Sequence, residues 1–423
     1  MIANTQNNVH AEAVITAHRF TIALLLITAI LGYVAGYGKL YAFHVSMVAY
    51  WIFIILGIIK IRRDSLNALL IPFALFVFMA LSLLWAPNKI NGLYFIFYFF
   101  CGLSLVIAIV NYANTLDKLN FIFKIMAVMF MTNFIFGALE TTGYFRLPAS
   151  PYYDQDHTRP SGFNGNLNNF GFVFMAVFPF LFLYPRRLVK LLSMFLITLF
   201  AVKLESKGFF LGAVSFFYLY FLLTNKSRSR IMYIFRLMPV VIVLSLGVLI
   251  LKSIEVDNRA FSAFTEIDRG IEMIQANETD GGGSTFVRAQ IYSFGIQELY
   301  RSYGLGIGIA GVGSLLAVET DFFGDGHRIY SFHNFFLEML VDFGALPFFI
   351  FLSTYISLAL SNIRKSKVIR NQRLAYYSKA SGLSLLVMIP ASIAPSSIIY
   401  VFTFWIVIGF AIAIYKINKR AVS

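Results

Sequence analysis

Charge is scarce in this chain. Only 13% of its 423 residues are charged, while 59% are hydrophobic and 17% aromatic; ordinary soluble domains carry about 25% charge. Too little polar surface is available to cover a water-soluble globule of this size, whereas a polytopic membrane protein has lipid as its solvent. Cysteine is scarcer still. Cys101 stands alone inside an apolar run, which excludes an internal disulfide and any cysteine-based metal centre and reads as a small buried hydrophobe. Acids are fewer than bases, 20 against 34, giving a net charge of +14. In a membrane protein that excess reports orientation rather than nucleic acid, because Lys and Arg collect on the cytoplasmic side. No small-residue cleavage site follows the first apolar run near Phe20, so it is expected to remain as a helix.

What the chain has is apolar runs of bilayer length, about 17–23 residues each. The expected spans are 19–37, 40–59, 66–86, 92–111, 119–140, 168–185, 188–205, 208–224, 231–252, 345–362, 376–394 and 397–415. With the N-terminus in the cytoplasm, "KIRRD", "NTLDK", "RRLVK", "NKSRSR", "NIRKSKVIRNQR" and the tail "KINKR" all fall on that side. It then collects 22 of the 34 basic residues and 3 of the 20 acidic ones, so both termini are expected to be cytoplasmic. Two longer external segments remain, 141–167 and 253–332. The second is predicted to carry helices over 258–276 and 285–302, separated by "TDGGGS", with Ser284 as N-cap. No repeat or low-complexity tract is present. The expected fold class is an all-α polytopic membrane protein of about twelve helices, one domain with a large external helical loop.

Polar residues of distinct chemistry gather on the expected external side. His333 stands at the mouth of the apolar run "SFHNFFLEMLVDFGALPFF". There a helix N-terminus disfavours the protonated ring and leaves a neutral imidazole able to accept a proton; the alternative is an interfacial histidine packed against headgroups. Arg288 leads "STFVRAQIYSFGIQELYRSYGLGIG"; its guanidinium suits phosphate, or it is a solvated arginine in an acidic loop. Lys207, in "ESKGF", is a cation in a short external turn, against the orientation rule, or a snorkelling lysine. "RPSGFNGNLNNFG" (159–171) brings Asn and Gly to the membrane edge, to hold sugar hydroxyls or pyrophosphate, or simply to cap and turn a helix entry. Three matches carry little weight. "GIGIAG" (306–311) fits a dinucleotide-binding pattern but lacks a preceding strand. "DQD" (154–156) is too short to define a metal site. "NET" (277–279) is a sequon, relevant only in a eukaryotic secretory pathway.

Taken in order, four stretches resemble the bacterial O-antigen ligase and polysaccharide polymerase family. "RPSGFNGNLNNFG" is similar to the family's R-x-x-G-F-x-N-P-N segment, with Leu167 replacing the proline. "ESKGFF" is similar to its S-R-G turn, with Lys207 replacing the arginine, which keeps the charge and loses the bidentate fork. "STFVRAQIYSFGIQELYRSYGLGIGIAGVG" resembles the Arg-led core helix ending in G-x-G. "FHNFFLEMLVDFG" resembles the H-N-x-x-L-x-x-x-x-x-x-G signature. The motifs span about residues 155–350.

The resemblance implies a GT-C-like glycosyltransferase architecture in the bacterial cytoplasmic membrane with its site on the external face. It implies transfer of an undecaprenyl-diphosphate-linked oligosaccharide to the hydroxyl of an acceptor glycan or glycolipid, with no metal or cofactor. In this reading His333 activates the acceptor hydroxyl and Arg288 and Lys207 neutralise the diphosphate. Arg159 and Asn166 or Asn168 hold diphosphate or sugar, and Asn334 orients the imidazole. The external loop excludes water. The lipid bilayer, a flippase and a chain-length regulator are the implied partners, and nucleic acid is not. Three functions stay open: a polymerase, with another repeat unit as acceptor; a ligase, with a lipid A-core or protein acceptor; and, from a different class, a flippase of lipid-linked glycan, although visible repeat halves and midplane charges are missing.

Overall fold

The structure is a computed structural model that describes residues 2–37, 40–147, 158–204, 206–224, 284–318, 331–395 and 398–422. Numbering the described helices in chain order, α1 spans Ile2–Leu31, α2 Ala42–Ile55, α3 Arg63–Ala68, α4 Leu70–Ser82, α5 Lys89–Tyr112, α6 Leu116–Glu140, α7 Leu167–Phe182, α8 Arg187–Leu204 and α9 Lys207–Thr224. Further along the chain come α10 (Ser284–Arg301), α11 (Gly311–Val318), α12 (Phe335–Phe343), α13 (Ala345–Ser366), α14 (Gln372–Ala391) and α15 (Phe402–Val422). One two-residue hairpin, Gly36–Tyr37 with Leu40–Tyr41, joins α1 to α2. The chain is an all-α membrane protein. Among the described residues five helices are long and apolar enough to cross a bilayer: Val14–Ala35, Lys89–Tyr112, Leu116–Glu140, Ala345–Ser366 and Phe402–Arg420.

Described helices occupy every expected span except 231–252, which lies outside the described residues, as does the expected helix 258–276. Two details differ from expectation. The span 66–86 is two helices, broken at Leu69, whose φ of −111° and ψ of 5° leave the helical region. Ser284 is the first residue of α10 rather than its cap. The segment 141–167, expected to be external, is described up to 147 and from 158 onward.

The centre of the bundle is α7, in which every residue from Phe170 to Phe182 is buried. Its rings interlock with those of α6, α8 and α9. Phe174 meets Phe134 at 4.9 Å, Phe200 at 5.1 Å and Phe209 at 5.8 Å, and Phe178 meets Phe216 at 4.8 Å. Such aromatic pairs add about 0.5–1.5 kcal/mol each beyond area burial. α14 packs along the same helix, and the Ser384 hydroxyl donates to the Ala176 carbonyl. This frame fixes the N-termini of α7 and α9 and the C-terminus of α14 side by side at one end of the molecule. At the other end Asp64 gathers Arg62 (2.7 Å), Lys416 (3.5 Å) and Arg420. The loop after α2 and the end of α15 therefore lie at the same end of the molecule.

Candidate active site at one end of the bundle

The turn before α7 is built by two polar groups of α6. The buried Glu140 carboxylate accepts the Ser161 N–H at 2.6 Å, the Gly162 N–H at 2.8 Å and the Leu147 N–H at 3.4 Å. Asn133 Oδ1 accepts the Phe163 N–H at 2.7 Å. Gly162, at φ +50°, passes so close to Asn133 that a Cβ would sit 2.2 Å from its Oδ1, so only glycine fits. The Arg159 carbonyl is held by Arg146 Nη1 at 2.9 Å. Asn166 is the N-cap of α7, accepting the Asn168 and Asn169 N–H groups at 2.8 and 3.4 Å, which satisfies donors that a helix start otherwise leaves open. Its side-chain oxygen therefore has a structural task.

Asn168 faces α9 instead. Its Oδ1 accepts the Ser206 hydroxyl at 2.9 Å, which ties the "RPSGFNGNLNNFG" turn to the "SKG" turn. Lys207 is the first residue of α9 and half-buried. Gly208 lies against the end of α14, where an added Cβ would be 2.7 Å from the Ala391 carbonyl and 2.8 Å from the Ala394 Cβ. The small residue lets the backbone beside Lys207 touch the segment 391–395.

That segment is the link to His333. The His333 ring lies against the Ala394 backbone and within electrostatic reach of Arg288. Burial and the Arg288 charge lower the imidazole pKa below its ordinary value, with the Ala394 backbone opposing them. Nδ1 of the ring is buried without a hydrogen-bond partner among the described residues. His333 has φ +50°, a conformation that non-glycine residues adopt at a cost and mostly at functional sites. Asn334 caps α12, accepting the Leu337 N–H at 3.3 Å, so the ring precedes the positive end of that helix, which also disfavours the imidazolium. Its neighbour Phe332 is fully buried and stacks on Tyr292 of α10 at 5.3 Å and 16°. Arg288, one turn before Tyr292, is thereby carried to the histidine.

The glycine-rich segment after α10 is a clamp on the other end of α12. Ile307 and Gly308 N–H groups donate to the Val341 and Asp342 carbonyls at 3.0 and 2.9 Å, and Ala345 N–H donates to Gly304 at 2.9 Å. Gly306 and Gly344 meet back to back: a Cβ on Gly306 would lie 2.4 Å from the Gly344 nitrogen, and one on Gly344 would lie 2.5 Å from the Gly304 carbonyl. Asp342, fully buried, accepts the Val312 N–H at 2.9 Å at the start of α11. Burial raises its pKa, and the α11 backbone donors oppose the shift. "GIGIAG" is thus a packing element between helices.

The structure brings His333, Arg288, Lys207 and Asn168 to one end of the bundle, joined through Tyr292, Ala394, Ser206 and Gly208. Arg159 reaches the same end through the turn that Glu140 holds. Arg288, Lys207 and Arg159 all have partners. Sequence reasoning missed Ala394, Glu140 and Tyr292. The segment "PASIAP" did carry a signal, two prolines flanking a short stretch at the end of a span. Among the described residues no three His, Cys, Asp or Glu side chains meet; "DQD" and "NET" lie outside those residues.

The fold and site define a class: an all-α membrane protein with a neutral-leaning histidine, cations and amides collected at one end of its helices. The chain is similar to the teichuronic acid biosynthesis protein TuaE of Bacillus subtilis (strain 168), 23% identical over 416 residues that cover 91% of this chain and 80% of that one. No family model matches the chain.

Proposed function

We propose that this protein is a glycosyltransferase of surface-polysaccharide synthesis, acting as a polymerase at the outer face of the bacterial cytoplasmic membrane. In this reading it has twelve spans in a GT-C-like arrangement. Its donor is a glycan on undecaprenyl diphosphate and its acceptor is the hydroxyl of another repeat unit. The observation that carries the reading is the His333 ring, half-buried beside Arg288, with Nδ1 itself buried and unpartnered among the described residues. A base needs such a lone pair, and burial, the neighbouring cation and the helix N-terminus favour the neutral ring. The similarity along 91% of the chain to a teichuronic acid biosynthesis protein supports polymer synthesis.

The acceptor hydroxyl attacks the anomeric carbon while its proton passes to Nδ1 of His333. The bond from that carbon to the diphosphate oxygen breaks, and the electron pair leaves on the lipid diphosphate. Arg288 and Lys207 stabilise the charge as it develops. Arg159 and Asn168 hold diphosphate or sugar, while Asn166 and Asn334 serve by fixing the helix starts on which their neighbours stand. In proteoliposomes supplied with a lipid-linked repeat unit, the native chain releases lipid diphosphate and lengthens the glycan. His333→Gln lowers that rate by roughly 100- to 10,000-fold, the usual contribution of a general base. Unchanged turnover in His333→Gln contradicts the assignment.

A further inference from the structure

Beside the short 3-10 turn Ile398–Tyr400 lies a cleft, open on one side. Its walls include Tyr33 and Tyr41 from the α1–α2 connection, Asn164 and Asn169 from the α7 entry, and Tyr400 and Thr403 before and within α15. Tyr33 and Tyr41 meet edge to face at 5.3 Å, and Tyr400 meets Tyr98 at 4.5 Å. The Tyr41 hydroxyl adjoins those of Tyr33 and Tyr98, joining the rings into one hydroxylated wall. Gly165, at φ +60°, lies against the Tyr33 ring, 3.4 Å from where its Cβ would stand. Among the described residues no charged side chain lines it.

Two amide atoms of the wall are buried and unpartnered among the described residues: Nδ2 of Asn164, a donor, and Oδ1 of Asn169, an acceptor. Buried polar groups are nearly always satisfied, and leaving one open costs about 1–3 kcal/mol. Aromatic rings with a free amide donor and acceptor match a neutral pyranose, whose C–H face packs on a ring and whose hydroxyls both donate and accept. A diphosphate or uronate finds no cation among the described lining residues, and an uncompensated charge is expensive to bury.

We propose that this cleft is the acceptor subsite, holding a neutral sugar residue of the incoming glycan while the Arg288–Lys207 side holds the donor diphosphate. The inference rests on the glycosyltransferase reading above. The two halves are linked through neighbouring residues. Asn169 follows Asn168, which binds Ser206 beside Lys207, and Tyr400 is within electrostatic reach of Glu338, four residues after Asn334 on α12.

The test uses the full chain in proteoliposomes, with a lipid-linked repeat unit as donor and the same repeat unit, free of lipid, as soluble acceptor. Asn164→Ala with Asn169→Ala is expected to raise the acceptor KM about tenfold or more while the donor KM holds. Tyr33→Leu, at a half-exposed position where folding tolerates the change, is expected to do the same, and Lys207→Ala is expected to raise the donor KM instead. If both cleft variants keep the native acceptor KM, or shift donor and acceptor KM alike, the subsite assignment is overturned and the glycosyltransferase reading stands. If the native chain releases no lipid diphosphate, that reading fails and the subsite falls with it.

Discussion

At His333 backbone strain and the proposed chemistry fall on one residue. Its φ of +50° is a conformation glycine adopts freely. His333→Gly is therefore expected to match or exceed the native thermal stability, by up to about 1 kcal/mol, while losing transfer activity; a melting curve beside a turnover assay checks both. Loss of stability in this variant would mean that the ring is a packing element. Burial and Arg288 lower the imidazole pKa, so the neutral base persists below the ordinary range near 6.5. The acid limb of the pH–rate profile is then expected below that range and is expected to move up in Arg288→Gln. Because the folded pKa is depressed, the ring's contribution to stability is lost as pH falls. The histidine, its arginine and the following asparagine were legible as residue types at a helix start. Capping by Asn166 was one of the two readings of its stretch, since Asn is favoured there, whereas Asn334 was expected to orient the imidazole and caps α12. Ala394 was not legible, because a backbone contact from an alanine leaves no mark on composition.

Between elements, the α12–α13 break and the glycine-rich segment depend on each other. Gly344 has φ +83°, and a side chain there would meet the Gly304 carbonyl at 2.5 Å. Gly344→Ala and Gly306→Ala are each expected to destabilise the protein by about 2–3 kcal/mol, seen as a lower melting temperature and a smaller folded yield in membranes. Asp342 bears on the same joint. Burial raises its pKa, so the folded state holds its proton more firmly than the unfolded chain, and stability falls as pH rises through that window. Asp342→Asn keeps an acceptor for the Val312 N–H without a buried charge, and its melting temperature above neutral pH is expected to equal or exceed the native value. The two motifs could be read in the sequence separately. Their interlocking could not, because the contact joins segments about 40 residues apart through backbone atoms alone.

At the scale of the whole molecule, apolar runs placed the helices well, since lipid makes length and hydropathy strong constraints. They placed the breaks poorly: Leu69 interrupts an apolar run whose composition gives no warning. The charge bias predicts a sidedness that can be measured. With Cys101, which is buried, replaced by Ser, a cysteine at the almost fully exposed Tyr144 is expected to react with an impermeant maleimide on intact cells. One at Val368, exposed beyond the end of α13, is expected to react only after permeabilisation; the reverse pattern would invert the topology and move His333 to the wrong face. The central claim is that His333 carries glycan polymerisation, and one measurement tests it most directly. His333→Ala is expressed in a strain lacking this chain, with protein level checked by immunoblot and surface glycan resolved on a gel. Normal protein with glycan arrested at a single repeat unit is the predicted result. A full-length polymer that never leaves its lipid carrier would point to ligation, and an unchanged ladder would contradict any catalytic role for this histidine.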